Sequence, residues 1–183
     1  MADLDGSDLD LFTNGRVTDD KAESLVAAAL ASARRYAGWP VSPVATETVT
    51  LDGPGGWRLF LKTRKVTAIS SVVENGVTLT IPSQVVKSAD VPGMLIRRGA
   101  CWTTEPSSIV VTFSHGYTED EAKDWRRAVL TLADMMSREG SRDSPDLVLK
   151  KIDDVQYQWS DRLIDTDTRL STLFAPFRIL PAP

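Results

Sequence analysis

The sequence is poor in the residue types that most often carry catalysis and metal binding. Its 183 residues include one cysteine, Cys101, and one histidine, His115. A single cysteine cannot form a disulfide within the chain, and neither residue stands in the spacing of a metal-ligand motif. Long apolar runs are also missing, and the acidic start, MADLDGSDLDLF, is unlike a secretion signal. We therefore expect a chain with no disulfide, no membrane partner and no export.

Positive charge is not in excess either. The formal net charge is −4 and the pI is near 5.0, which argues against a protein whose main task is to neutralise phosphates. Lys62, Arg64 and Lys65 form a small basic cluster, which we interpret as a solvated loop rather than a nucleic-acid patch. The hydrophobic fraction of 42% is enough for a buried core.

The clearest segment of the sequence is an amphipathic helix from Thr118 to Gly140. Thr118 and Glu121 have the spacing of a capping box, and Gly140 is a typical residue just after a helix end. Apolar residues recur at helical spacing and share one face of this helix: Ala122, Trp125, Val129, Leu132, Ala133 and Met136. Such a face requires a partner that covers it.

A second predicted helix, from Thr18 to Ala37, offers the matching face. It opens on Thr18 with two aspartates and closes with two arginines before Gly38. Its apolar stripe is rich in alanine and allows close approach of another helix: Ala22, Leu25, Val26, Ala29, Ala33 and Tyr36. We predict that these two helices pack together, although they are far apart in the sequence.

The residues between the helices, 44–115, have the pattern of a β lobe. Residues 45–51 alternate, and the Gly-rich stretch 52–56 leads at once into a predicted return strand at 57–61. We interpret 52–56 as a hairpin loop and not a phosphate-binding loop, because no helix follows it. Asn75-Gly76 predicts a tight hairpin. Further short strands are predicted at 66–74, 77–81, 84–88, 94–98, 101–104 and 108–114.

The two ends of the chain carry apolar residues outside these elements. Residues 1–17 are interpreted as a loosely ordered arm, anchored by Leu11 and Phe12, in preference to a partner-binding arm. Near the other end, 154–160 alternates as a strand and 168–175 is predicted as a short helix. The apolar residues of these two segments, with Phe177 just after the second, are candidate contacts with other subunits, and burial within the chain is the open alternative: Val155, Tyr157, Trp159, Leu170, Leu173, Phe174 and Phe177.

No arrangement of residues in the sequence indicates an active site. His115 and Cys101 can be read as a base and a nucleophile, but no orienting group accompanies them, so we interpret His115 as structural. Neighbouring aspartates lack calcium-loop spacing. Trp57, Trp102 and Tyr117 can be read as a sugar-binding face, but strand aromatics are more often core residues. We expect no enzyme activity, no cofactor and no metal.

Together these patterns predict an α+β fold. An antiparallel helix pair carries an inserted antiparallel β lobe, a sandwich or small barrel, and is followed by a C-terminal strand and a short helix. The expected divisions are 1–43 for the arm and first helix, 44–115 for the β lobe, 116–145 for the second helix and its loop, and 146–183 for the strand, short helix and docking tail.

Three stretches of the sequence carry a family resemblance: AALASARRYAGWPVSPVATETVTLDGPGGWRLFL, FSHGYTEDEAKDWRRAVLTLADMM and VQYQWSD. Together with the order of the elements, they resemble the head-to-tail adaptor (connector) proteins of long-tailed bacteriophages, particularly those of actinobacterial hosts. The resemblance spans about residues 18 to 178. It contains no catalytic motif.

The resemblance implies a structural protein of the virion neck, assembled in the host cytoplasm. Such adaptors form a twelve-subunit ring beneath the portal and continue the channel through which double-stranded DNA passes to a stopper and the tail. The implied partners are other copies of the chain, the portal protein and the stopper or tail-completion protein. By similarity, the region around Leu170, Leu173, Phe174 and Phe177 would contact the portal. Alternatives are a neighbouring connector, such as a stopper or tail-completion protein, and a glycan-binding β module.

Overall fold

The computed structural model describes residues 3–139, 147–150, 157–159 and 163–179. The chain forms two compact units. The first, Pro40–Glu119, is called the β unit below. The second, the helical unit, combines the described parts of Ala2–Trp39 and Asp120–Pro183.

The N-terminal segment is a helix, and the prediction of a loose arm is wrong. α1 (Gly6–Thr13) is capped by Asp5, whose side chain accepts hydrogen bonds from the amides of Ser7 and Asp8, while Asp8 reaches back to the Asp5 amide. This capping box makes eight residues helical despite the glycine at the start. Leu9 is fully buried, whereas Leu11 is 80% exposed, so Leu11 does not anchor the segment.

The two long helices pack together as predicted. α2 (Asp19–Ala37) follows Thr18 and ends at Gly38, whose φ of 81° suits a residue without a side chain. α3 (Lys123–Glu139) begins at Lys123 and not directly after Thr118, because residues 119–122 form turns first. The predicted stripes are buried except for Tyr36, which is half-buried.

The β unit contains two antiparallel sheets that share one core. β1 (Ala45–Leu51), β7 (Ile109–His115), β3 (Val66–Glu74) and β4 (Val77–Thr78) form the first sheet, in that order, and β2 (Arg58–Phe60), β6 (Met94–Arg97) and β5 (Val85–Lys87) form the second. Residues from both sheets and from their connecting loops bury one another: Leu59, Leu61, Val72, Leu79, Val85, Leu95, Trp102, Ile109, Val111 and Phe113. The predicted α+β fold is confirmed.

Two details of the β prediction are wrong and one is confirmed. β1 pairs with β7 and β2 with β6, so residues 52–56 cross between sheets and do not close a hairpin. Residues 101–104 form no strand, because Trp102 is drawn into the core from a loop. The Asn75-Gly76 hairpin is confirmed, with φ of 49° and 78° at its two residues and β3 paired to β4 around them.

The C-terminal region contains a strand pair and short helices. β8 (Leu147–Lys150) pairs antiparallel with β9 (Tyr157–Trp159), so residues 157–159 of the predicted strand 154–160 form a strand with a partner, and the other residues of that prediction lie outside the described part of the chain. α4 (Leu163–Thr166), α5 (Thr168–Phe174) and a 3-10 helix (Ala175–Phe177) follow. Within the described ranges, no helix has the length and apolar character needed to cross a bilayer.

Candidate assembly surfaces

α5 divides the predicted C-terminal contact residues into a buried and an accessible pair. Asp167 caps the helix, since its Oδ1 accepts hydrogen bonds from the amides of Arg169 at 2.8 Å and Leu170 at 3.0 Å. Leu170 and Phe174, four residues apart, lie on its inner face and are fully buried. The Phe174 ring meets the Trp125 ring edge to face at 5.4 Å. These two residues anchor the segment within the chain.

Leu173 and Phe177 remain accessible. Leu173 is 37% exposed, and Phe177 is half-buried with its ring 5.3 Å from that of Trp125. Of the remaining predicted contacts, Tyr157 and Trp159 lie in β9 and Val155 lies outside the described residues. Leu173 and Phe177 are therefore the predicted C-terminal contact residues whose described side chains are accessible to a partner.

Leu173 and Phe177 line a groove on the helical unit. Its volume is about 720 Å³, and it runs between the end of α1, one face of α3, and α5 with the 3-10 helix. Clefts of this size can hold several side chains of a partner. The lining residues are Phe12, Asp124, Arg127, Thr131, Asp134, Met135, Arg138, Arg169, Thr172, Leu173, Pro176 and Phe177.

The charges around the groove are partly neutralised within the chain. Asp134 pairs with Arg16 and, at 2.9 Å, with Arg138. The guanidinium groups of Arg127 and Arg169 make no hydrogen bond or ion pair to any side chain in the described part of the chain. The groove therefore combines apolar side chains with two arginines and the Asp124 carboxylate, none of which has an ion-pair partner among the described residues.

The sequence analysis missed most of this groove. Phe12 was interpreted as an anchor, but it is 40% exposed and lines the groove. Arg127 lies outside the apolar stripe of α3 and also lines the groove. The repeat of Asp124, Arg127, Thr131 and Arg138 at spacings of three, four and seven was the available signal of a second face on α3.

A second candidate surface is the outer face of the four-stranded sheet. The strand register places ten uncharged residues there, in a chain that is 25% charged. Two hydroxyl pairs hydrogen-bond across the strands, Thr46 with Ser114 at 2.7 Å and Thr48 with Thr112 at 2.9 Å. The ten residues are Thr46, Thr48, Thr50, Val110, Thr112, Ser114, Ala68, Ser71, Val73 and Thr78.

The aromatic residues considered for sugar binding are in different environments. Trp102 is 2% exposed and belongs to the core of the β unit, and Tyr117 is half-buried with Lys65 Nζ 5.0 Å from its ring centre. Trp57 is 45% exposed, but the Arg58 guanidinium lies 4.1 Å over its ring. Only Trp57 presents a large accessible ring, so the three residues offer little for a glycan to stack on.

His115 and Cys101 are in equally different environments. His115, the last residue of β7, is 1% exposed, with Nε2 3.2 Å from Glu47 Oε1 and its ring 5.1 Å from that of Phe113. Burial lowers the pKa of His115, and the nearby Glu47 carboxylate offsets part of this effect. Cys101 is exposed in the loop between β6 and β7. Among the described residues, no three His, Cys, Asp or Glu side chains are grouped as metal ligands.

Comparison with known proteins identifies the fold. No protein-family model and no curated protein sequence matches the chain. A chain of the structure described as "Neck of native GTA particle computed with C12 symmetry" is similar, with a TM-score of 0.60 and 13% identity over 100% of this chain and 95% of that chain. A chain of "Neck of empty GTA particle computed with C6 symmetry" has a TM-score of 0.55 and 16% identity over 98% and 91%. This chain thus shares its whole fold with proteins found in the necks of those particles.

Proposed function

We propose that this chain is a structural protein of the neck of a phage-like particle. In this role it is a head-to-tail adaptor, forming a ring of twelve copies between the portal and the stopper or tail. The observation that carries the proposal is the extent of the fold similarity to the GTA neck chain, which covers 100% of this chain and 95% of the other. The sequence resemblance to phage adaptors points independently to the same kind of particle.

The surfaces of the chain suit a closed ring. In a ring, each copy uses two different faces to contact its two neighbours, so a chain needs separate surfaces that complement each other. The groove supplies a concave surface on the helical unit, and exposed apolar side chains such as Val91 supply a separate surface on the β unit. The C12 symmetry of one neighbouring structure supports twelve as the number of copies, and the C6 symmetry of the other supports a ring.

The electrostatics of the chain suit a channel through which DNA moves. A wall that neutralises phosphates releases counterions and binds DNA, which would oppose sliding. A formal charge of −4 and an uncharged outer sheet face provide no such attraction. We therefore assign the DNA a passing role, without specific binding.

The predicted contact residues now have more specific roles. Leu173 and Phe177 are proposed to contact a neighbouring copy or the portal, and Leu170 and Phe174 to hold α5 in place for that contact. Val155, Tyr157 and Trp159 are proposed to contact neighbouring copies or the stopper. The chain is proposed to assemble in the host cytoplasm and to remain in the virion.

Removing this chain from the cell that produces the particles tests the proposal. We expect heads and tails that do not join, visible by electron microscopy of the lysate, and joined particles again when the chain is supplied from a plasmid. Joined particles in normal number without the chain would contradict the proposal. Capture of the chain by purified portal protein separates an adaptor from a stopper, because only the adaptor contacts the portal directly.

A further inference from the structure

The groove on the helical unit has a chemical character that restricts what can fill it. Phe12 and Leu173 are 40% and 37% exposed, and Met135 and Phe177 are half-buried beside them. Apolar surface of this kind is stabilised by covering it with apolar groups of a partner. Arg127 and Arg169 have no partner among the described residues and outnumber Asp124, the other groove charge without one, so a suitable occupant also carries negative charge.

Exposed apolar side chains of the β unit are candidates for that occupant. Trp57 lies beside Arg58, and Phe60 lies two residues before Lys62, so both would bring positive charge to the arginines. Val44 and Val77 have no charged neighbour in the sequence. Val91 alone in this set has an acidic neighbour. The exposed fractions are 37% for Val44, 45% for Trp57, 59% for Phe60, 64% for Val77 and 40% for Val91.

The loop that carries Val91 is a compact hairpin tip between β5 and β6. Ser88 Oγ accepts hydrogen bonds from the amides of Asp90 at 3.3 Å and Val91 at 3.0 Å, and the Ser88 amide bonds to the Met94 carbonyl at 2.8 Å. These bonds fix the backbone while the Asp90 carboxylate makes no hydrogen bond or ion pair within the described ranges. A fixed tip loses little conformational entropy when it binds.

We propose that the tip of this hairpin, residues 88–93, docks into the groove of a second copy of the chain. Val91 and Pro92 would cover Leu173 and Phe177, and Asp90 would face Arg127 and Arg169 of that copy. The contact joins two different surfaces, so its repetition generates a ring when the rotation closes. This inference rests on the proposed ring and names the contact that builds it.

Cross-linking between separate copies tests the contact. In a Cys101→Ser background, a tagged Leu173→Cys chain is mixed with an untagged Val91→Cys chain under mild oxidation, and heterodimers are counted on a non-reducing gel. A Phe60→Cys chain is the matched control, because Phe60 is even more exposed and lies in the same unit. We expect about tenfold more heterodimer with Val91→Cys than with Phe60→Cys. Equal yields, or a higher yield with Phe60→Cys, would overturn the assignment.

Charge exchange tests the role of the arginines. Adding Arg127→Asp to the Leu173→Cys chain is expected to lower the heterodimer yield, and adding Asp90→Arg to the Val91→Cys chain is expected to restore it. Lys21→Glu, an exposed change in α2 away from the groove, is the control and should leave the yield unchanged. A heterodimer yield that is unchanged by Arg127→Asp would contradict the proposed charge pairing. The cross-linking results test only the proposed contact between residues 88–93 and the groove. The neck function is tested separately, because heads and tails that join in cells lacking the chain would contradict it.

Discussion

Arg97 and Glu74 form an ion pair that connects the two sheets of the β unit. Nε of Arg97, in β6, lies 3.3 Å from Oε2 of Glu74, at the end of β3, and the two side chains are only 11% and 13% exposed. The other carboxylate oxygen of Glu74 accepts a hydrogen bond from the Thr103 amide at 2.8 Å. One carboxylate therefore holds together both sheets and the loop that brings Trp102 into the core.

Removing this carboxylate should be costly. Glu74→Ala leaves the Arg97 charge and the Thr103 amide without their partner in a largely buried place, so we expect a loss of about 2 to 4 kcal/mol in the free energy of unfolding. Urea unfolding measures this loss. Asp120→Ala is the control, because it removes an ion pair with Lys123 whose side chains are 92% exposed at Asp120 and 75% exposed at Lys123. It should change the free energy of unfolding by less than about 0.5 kcal/mol. Similar effects of the two substitutions would show that the Arg97–Glu74 pair is unimportant.

Neighbouring residues of α5 should have separable effects. Phe174 is fully buried against Trp125, so Phe174→Ala should lower the free energy of unfolding by about 3 to 5 kcal/mol. Leu173 is 37% exposed, so Leu173→Ala should cost less than about 1.5 kcal/mol and instead weaken contacts between copies. Thermal unfolding of both variants measures their stability, and sedimentation measures the association between copies. A greater loss of stability for Leu173→Ala would mean that α5 is packed on its other face.

Substitutions at two glycines with the same backbone angle distinguish the cost of that angle from the cost of a steric clash. Gly93 and Gly99 both have φ of 73°, but a Cβ on Gly93 would lie 2.2 Å from the Thr63 carbonyl oxygen, whereas nothing lies within 4 Å at Gly99. Gly99→Ala should therefore lower the free energy of unfolding by about 1 to 2 kcal/mol, because only the backbone angle is unfavourable. Gly93→Ala should lower it by clearly more, because the added Cβ also clashes, and should shift the tip formed by residues 88–93. Equal losses in urea unfolding would show that no close packing limits residue 93.

The single histidine predicts a pH dependence of stability. Burial lowers the pKa of His115 below its ordinary value of 6.5, so the unfolded chain takes up a proton at a higher pH than the folded chain does. Stability should therefore be constant above that ordinary value and fall as the pH drops from about 7 towards the lowered pKa. The urea midpoint, measured from pH 7.5 to 5, should show this fall in the native sequence and not in His115→Gln. If the urea midpoint fell equally in the native sequence and in His115→Gln, the pH dependence would come from carboxylates and not from His115.

Features encoded by neighbouring residues were predictable from the sequence. α2 was predicted within one residue because Thr18 and Gly38 mark both its ends, and the Asn75-Gly76 hairpin was predicted because its turn requires positive φ. α1 had an equally local signal, the capping box of Asp5 and Asp8, although the glycines around it are typical of irregular segments. The side-chain periodicities of α2 and α3 also predicted their mutual packing.

Features that depend on distant residues were not predictable in the same way. Nothing in residues 45–60 indicates that β1 pairs with β7 and β2 with β6, because strand pairing is decided by the packing of both sheets around one core. The groove is likewise formed by three segments that meet only in the folded helical unit. Leu173 and Phe177 were predicted as contacts from their apolar character. That Leu170 and Phe174 are buried while these two are accessible could not be predicted, because it depends on where Trp125 packs against α5.

Electron cryomicroscopy of the particle assembled with this chain, with the reconstruction focused on the neck, tests the central claim most directly. The account predicts a ring of twelve copies between portal and tail, with the helical and β units recognisable in each copy. A neck whose density accommodates no copy of this chain would contradict it.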